Sequence, residues 1–315
     1  MGRHSLCVSA APRQGFAVLG SATFQGNDVN KRNLLNLVLL LVVVGLGLLA
    51  WLEPGREAPP APLKLTALDV AAIDRIRIER PAGLLEMARA DNRWQLTAPV
   101  TAPANGIRVD AILSVAAIDS LNSQAITGLD LAAYGLAEPA VRLFLNDTRI
   151  DFGNTSPLDQ RRYVRVGDTV HLIPDLRYYQ LIGGWNGYVS LRLLEPDTAL
   201  DRIELPGLML ENHEGSWRPE PPPAHWSADA ATALAQNWDT AQAMEVREHK
   251  GKANGEEVRL HIRGREQPIR FVVAARDPEL VLVRPDLGLA WHLVSGQAQG
   301  LLELSALPEN VSQPD

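Results

Sequence analysis

One run of residues leaves little freedom in what this chain can form: "LLNLVLLLVVVGLGLLAWL", Leu34 to Leu52, nineteen residues without a charge and with Asn36 as the one strongly polar member. At 1.5 Å per residue an α-helix of that length spans roughly 28 Å, about the hydrocarbon thickness of a bilayer. The run predicts a transmembrane helix over residues 34–52, with the lipid bilayer as its partner. A cleaved secretory signal is the alternative, because Lys31 and Arg32 precede the run as a basic n-region would. A cleavable core is usually only about 7–15 residues long, and no small-x-small site follows before Trp51 and Pro54. An uncleaved signal anchor is therefore expected.

The flanks orient it. Lys31 and Arg32 lie just before the span, whereas Glu53, Arg56 and Glu57 after it nearly cancel. By the positive-inside rule the amino end is cytoplasmic and the region after Glu53 is outside. Only four of the 30 basic residues are lysines, Lys31, Lys64, Lys250 and Lys252, a skew expected of a GC-rich bacterial genome. The expected location is thus a bacterial inner membrane, crossed once, with a periplasmic C-terminal region. Residues 1–33 form a short cytoplasmic segment rich in Gly, Ser and Ala, and a start near residue 29, at Val29, is expected in place of Met1. Cys7, the single cysteine, would then be absent; either way it offers no intrachain disulfide and no thiolate cluster.

Residues 1–33 carry a balance of +3, from Arg3, Arg13, Lys31 and Arg32 against Asp28, so of the chain's −7 the remainder holds −10. An acidic exterior without a Lys/Arg cluster argues against nucleic acid as a partner and against peripheral binding to anionic lipid.

After the anchor, residues 53–64 form a proline-rich, extended spacer. Two stretches then repeat one plan. In the first, Ile73–Glu79 alternates as a strand, and "LLEMARA" and "RWQLT" pair across Asp91-Asn92. In the second, "RIEL" and "LMLENH" lead through Glu214-Gly215 to Ser216-Trp217-Arg218. Aligned on Asp-Arg-Ile, Asp74 corresponds to Asp201, and Trp94 corresponds to Trp217. Each hairpin runs through a proline-bearing loop into a helix. The first starts at Asn105 or Gly106 and carries Val109, Ile112, Leu113, Ala116 and Ala117; the second is capped by Ser227, with Ala230, Leu234, Trp238 and Ala241 along one stripe. Two further hairpins follow each helix, and even His-Leu-Ile at 171–173 has a counterpart in His-Leu-Val at 292–294. The expected class is α+β: an N-terminal transmembrane helix, then two tandem, internally duplicated β-β-α-β-β-β-β units, each an antiparallel sheet with one helix. The first unit covers residues 65–195, the second 196–305, and 306–315 is a tail.

No chemical constellation emerges. "GLGLLA" at 45–50 matches a dinucleotide fingerprint by letters alone, but it lies inside the membrane span, where its glycines suit helix packing. None of the seven histidines falls in a metal-ligand spacing. The chain has no GxSxG or SxxK motif and no cysteine in its outer region. Asp151, Asp159 and Asp168 surround the first unit's hairpins, and paired carboxylates do acid/base work, but Asp168 is better read as a turn residue. We expect no catalytic residues, no cofactor, no metal and no enzymatic activity. Trp94 and Trp217 are expected to fill volume between sheet and helix. The candidate contact for a partner or ligand is Trp185, Asn186 and Tyr188 in "GGWNGY", at the junction of the units, with aromatics that plug the seam as the alternative.

These residues resemble a known family. "RWQLTAPVTAPANGIRVDAILSVAAIDSL", "YGLAEPAVRLFL" and "IDFGNTSPLDQRRYVRV" are similar to the bacterial "domain of unknown function 4340" (DUF4340) group. The residues that carry the likeness are Trp94, Tyr134, Gly135, Leu136, Pro139, Phe152, Gly153 and Tyr163. The resemblance covers residues 70–195 and extends weakly to about 305; the second copy lacks the Tyr-Gly-Leu and Phe-Gly elements. It implies a membrane-anchored envelope protein associated with ABC-2-type exporters and the gliding-motility-associated auxiliary protein. Two functions follow as expectations. One is a non-enzymatic accessory or scaffold that contacts ABC-type permease or ATPase subunits. The other is a periplasmic ligand-binding module for an envelope glycan or lipid at the inter-unit junction.

Overall fold

The computed structural model describes residues 28–52 and 63–304. The termini and most of the spacer, with Cys7 and the C-terminal tail, lie outside the described residues. The chain divides after Ala61 into an N-terminal unit and a folded unit. The described residues of the first form α1 (Asp28–Leu52), which extends the expected span by one and a half turns through Lys31 and Arg32. Residues 31–49 are long and apolar enough to cross a membrane, and none of their side chains is buried.

The folded unit runs β1 (Leu63–Lys64), β2 (Arg75–Glu79), β3 (Leu85–Ala90), β4 (Arg93–Ala98), β5 (Ala102–Pro103), α2 (Gly106–Leu113), β6 (Asp119–Ser120), β7 (Asn122–Ala125), β8 (Val141–Leu145), β9 (Thr148–Thr155), β10 (Arg161–Val166) and β11 (Thr169–Pro174). Two 3-10 helices, Asp175–Gln180 and Trp185–Tyr188, carry the connection onward. Then follow β12 (Leu200–Leu205), β13 (Leu208–His213), β14 (Ser216–Glu220), α3 (Ala228–Thr240), β15 (Glu245–Glu248), β16 (Glu256–Ile262), β17 (Ile269–Ala275), β18 (Glu279–Arg284), β19 (Leu289–Val294) and α4 (Gln297–Leu302).

This is an α+β fold of antiparallel sheets. The nine-stranded sheet has the order β5-β4-β3-β2-β8-β9-β10-β11-β7, and the eight-stranded sheet β14-β13-β12-β16-β17-β18-β19-β15. Without the two-residue β5 the two orders coincide strand for strand. The seven-element plan expected from sequence is short by two strands in each large sheet: leaving β5 aside, three precede the helix and five follow it. The unforeseen β7 and β15 lie at the sheet edges and pair with β11 and β19, which come later in the chain. Neither forms a hairpin, and all four residues of β7 are exposed, so neither alternation nor turn chemistry marks it.

The helix caps follow the expected chemistry. Asn105 accepts a hydrogen bond from the Arg108 N–H, and Ser227 one from the Ala230 N–H at 3.1 Å. Val109, Ile112 and Leu113 of α2, and Ala231, Leu234, Ala235 and Trp238 of α3, are buried. Trp238 packs tilted against Phe271, ring centres 5.7 Å apart, and its indole N–H donates to the Leu301 carbonyl at 2.8 Å. Both demands of a buried tryptophan, volume and a polar partner, are thus met. The buried apolar residues of both sheets join one cluster through Leu181, Tyr188, Val189, Leu193 and Leu194 of the connecting segment.

The letter match between the two histidines is out of register. His171 pairs with Val164 and His292 with Val281. Val164 belongs to the core, whereas Val281 packs on the small apolar cluster on the sheet's other face. A one-residue slip reverses every side chain of a strand, so Trp291 holds in β19 the inward place that His171 holds in β11.

Candidate functional site

Residue topology explains where the chain is under most constraint. β7 ends at one edge of its sheet and β8 begins beside β2, so residues 126–140 must cross β11, β10 and β9 on the outer face. At the crossing the Tyr134 carbonyl accepts the Asn154 N–H at 2.8 Å. A Cβ on Gly153 would lie 2.3 Å from that same oxygen, so the approach exists only because residue 153 is glycine. Gly135 has φ +67°, and a Cβ there would meet the Asn154 side chain at 2.5 Å. The Tyr134 ring stands edge-on to Tyr163, centres 4.7 Å apart, while Leu136 and Pro139 are buried. Beside this lock lies a shallow cavity of about 210 Å³ lined by Asn122, Gln124, Leu129, Tyr134, Tyr163 and His171, among others.

Seven residues singled out from sequence, Tyr134, Gly135, Leu136, Pro139, Phe152, Gly153 and Tyr163, therefore lie on or beside one crossing. Trp94 does not join them; it sits on β4 against the core, with the Arg89 guanidinium 5.6 Å from its ring centre. A family described as "Domain of unknown function (DUF4340)" matches residues 94–253, just over half of the chain. The chain belongs to this family. The DUF4340 match begins at Trp94, contains the whole crossing, and continues past the connecting segment through α3 to Ala253. It starts later than the expected residue 70 and runs well beyond 195, so the family's stretch takes in parts of both sheets. No curated protein and no solved structure matches the chain.

The second sheet makes the corresponding crossing in fewer residues. Residues 249–255 connect β15 to β16 over β19, β18 and β17, with Ala253 against Val272, Val283 and Ala290. Gly255, φ +151°, brings its backbone so near β17 that a Cβ would lie 2.1 Å from the Val273 carbonyl oxygen. One glycine thus does here what the Tyr-Gly-Leu and Phe-Gly elements of DUF4340 do in the first sheet.

Sequence reasoning missed Arg162, which fastens the turn from β11 into the following 3-10 helix. Its Nε donates to Asp175 Oδ1 at 2.5 Å, Nη2 to Thr155 Oγ1 at 2.9 Å and Nη1 to the Gly153 carbonyl. The guanidinium carbon lies 3.6 Å from the centre of the Tyr178 ring. The available signal was an arginine two positions before Val164, at an inward site of an alternating strand.

At the junction, Tyr188 is 3 % exposed and its hydroxyl donates to the Gln180 carbonyl at 2.6 Å. Arg80 donates to the Leu181 carbonyl at 2.6 Å and to the Tyr188 oxygen at 3.1 Å. Asn186 donates to the Val246 carbonyl at 3.1 Å, across the seam, and Trp185 is half-buried against the core. Of the three residues expected to meet a partner, Tyr188 is therefore inside the protein and Asn186 is occupied by the second sheet. Burial pushes the Tyr188 hydroxyl pKa up, against the opposing Arg80 charge. Glu195, seven residues on, is likewise raised by burial, which outweighs the nearby Arg93, Arg192 and Arg284.

The carboxylates around the first sheet do not converge. Asp151 accepts from Arg149 at 2.7 Å, Asp159 lies 3.2 Å from Arg161, and Asp168 sits in the turn before β11. Among the described residues no three His, Cys, Asp or Glu side chains group as metal ligands would. A wide concavity, about 920 Å³, lies over β2, β3 and β8, where Arg77 pairs with Glu79 and Glu86. These pairings neutralise charge and hold backbone in place.

Proposed function

We propose that this chain is a non-enzymatic, single-pass module of the bacterial inner membrane whose periplasmic part scaffolds or assists an ABC-2-type or gliding-motility-like transport complex. The observation that carries the anchor is α1: 25 residues, of which 31–49 are apolar enough to cross a membrane and have no buried side chain, a surface that water would not tolerate. Lys31 and Arg32 at its amino-terminal end support a cytoplasmic start and a periplasmic folded unit. The coincident strand orders support a tandem duplication, residues 65–195 and 196–305, as the origin of the folded unit. Its most constrained residues serve backbone crossings and a shared core, which suits a rigid platform better than a reaction centre. The association with exporters rests on the family resemblance.

The experiment is purification of the full chain from native membranes in mild detergent, followed by mass spectrometry. Recovery of ABC-type permease and ATPase subunits in fixed ratio is expected. A solitary protein, recovered intact from the membrane fraction, would remove the accessory role and leave the anchor standing.

A further inference from the structure

In the first sheet one buried polar side chain has an unused hydrogen-bonding atom and open space beside it. His171 is 4 % exposed, and its Nδ1 lies 3.0 Å from Ser120 Oγ. The Ser120 hydroxyl donates its one hydrogen to the Asn122 carbonyl at 2.8 Å, so toward the ring it can only accept. Nδ1 therefore carries the hydrogen of the imidazole. Burial lowers the pKa of the ring and keeps it neutral, which leaves Nε2 as a bare acceptor. Among the described residues nothing donates to this atom, and unlike the orphaned Nε2 of His249 it is not sealed off from solvent.

The space is a cavity of about 660 Å³ between the sheet and residues 63–68, a size usual for small-molecule sites. Strand parity decides which side chains face it. Val164 is a core residue and pairs with His171; Ile150 is another and pairs with Val166. Residues two apart on a strand share a face. Thr148, Val166, Thr169 and His171 thus all lie on the inner face, and they share the cavity with Leu65 and Leu68. Among the described residues no carboxylate lines it, and its one charged residue, Lys64, is exposed.

In the second sheet the same place is filled. Trp291 holds the inward position of His171, is 1 % exposed, stands edge-on to Phe271 and donates its N–H to the Ser190 carbonyl at 3.1 Å. An indole takes more volume than an imidazole and brings a donor to an acceptor already in place. The first sheet has the smaller ring, an acceptor where its counterpart has a donor, and the open space.

We propose that this cavity binds a small, neutral, mainly apolar molecule through a hydroxyl group, of a phenol or an aliphatic alcohol, that donates to His171 Nε2. Leu65, Leu68 and Val166 supply the apolar contact. The hydroxyl is selected because a ligand of the same shape without a donor displaces water and leaves a buried acceptor unpaired. The site depends neither on the anchor nor on a transport partner.

The test is solid-state NMR of the full chain, 15N-labelled at histidine, in phosphatidylcholine liposomes. The resonance of the bare His171 Nε2 is identified by its loss in His171→Phe. Added 4-butylphenol is expected to move that resonance saturably toward the hydrogen-bonded position. The isostere 4-butylanisole, which has no donor, is expected to reverse the movement only at about tenfold higher concentration. Thr169→Trp, which places a large ring in the cavity from its partly exposed side, is expected to abolish the movement while the resonance itself remains. No saturable movement in the unmodified chain, or reversal by equal 4-butylanisole, overturns the hydroxyl site. So does a movement that persists undiminished in Thr169→Trp, because the ligand then lies elsewhere. Tighter binding of 4-butylbenzoate than of 4-butylphenol, with protonation of the ring, assigns the cavity to a carboxylate and overturns the proposal as well.

Discussion

Gly153 and Gly255 are paired experiments at the level of single atoms. Each lies where a methyl group would meet a carbonyl oxygen, at 2.3 Å and 2.1 Å, whereas Gly187 has nothing within 4 Å of its Cβ position. Overpacking of this kind costs about 1–3 kcal/mol or more, because backbone rather than a side-chain end must move. Gly153→Ala and Gly255→Ala are expected to lower the denaturant midpoint of the full chain clearly, and Gly187→Ala to leave it within about 0.5 kcal/mol; equal effects from all three would show that the crossings are loose. Arg162→Lys makes a second case. A lysine cannot donate to Asp175, Thr155 and Gly153 at once or stack on Tyr178 as a plane, so the substitution is expected to cost about 3 kcal/mol rather than behave conservatively. Titration offers a third. Burial lowers the pKa of His171, whose Nδ1 lies 3.0 Å from Ser120 Oγ. The unfolded chain then binds the proton first, so folding stability falls as pH drops from about 6.5 toward the lower folded value. Glu204, whose desolvation is overcome by hydrogen bonds from His261 and Arg259, adds a loss of the same sign at lower pH. Glu195, raised by burial, acts oppositely: its cost is present above the folded value and is relieved as pH falls through it. His171→Asn, which keeps a polar atom near Ser120, is expected to reduce the loss of stability measured as pH falls below about 6.5.

Elements show which kinds of order a linear sequence displays. Hairpins with Asp91-Asn92 and Glu214-Gly215 at their turns were legible, because those residues adopt the positive φ that the turns require. Both helices were legible from an N-cap and an apolar stripe, although in α3 the buried small residue is Ala231 and not Ala230. What the sequence did not display was long-range: β7 and β15 wait for partners that come later, and the register of β19 against β11 depends on the four-residue turn 285–288 rather than on shared letters. The Tyr-Gly-Leu and Phe-Gly elements were visible as a resemblance, but their purpose became plain only when the crossing placed Tyr134 against Gly153. Asn146 illustrates the same limit. As Asn-Asp it reads as a hairpin turn, yet its side chain also accepts from the Asp74 and Arg75 N–H groups at 3.0 Å and donates to the Ala72 carbonyl at 3.0 Å. Asn146→Gly keeps the turn's φ of 50° accessible and removes all three bonds. It is expected to cost about 1–3 kcal/mol in a denaturant titration, a loss that a turn-only role would not produce.

At the scale of the whole folded unit, the question is whether two similar sheets behave as two bodies or one. The core passes without interruption from one sheet to the other, and the connecting segment is bonded to both. The Trp291 indole N–H donates to the Ser190 carbonyl at 3.1 Å, Arg192 to the Asp239 carbonyl at 3.0 Å, and Arg93 to the Pro196 carbonyl at 3.3 Å. Separation of the halves would expose Leu193, Leu194 and Trp291 to water and strand these polar groups, so partial unfolding has little to gain. A fluorophore at position 158 in the first half and another at 213 in the second are therefore expected to report the same denaturant midpoint. Trp291→Phe sharpens the test, because it removes the seam hydrogen bond and part of a buried ring from the second half alone, at a cost of about 1–3 kcal/mol. If the unit is cooperative, the probe at 158 shifts by as much as the probe at 213, although no atom near it has changed. A shift confined to 213 would mean that the halves melt separately, and that the platform proposed for a transport complex is hinged rather than rigid.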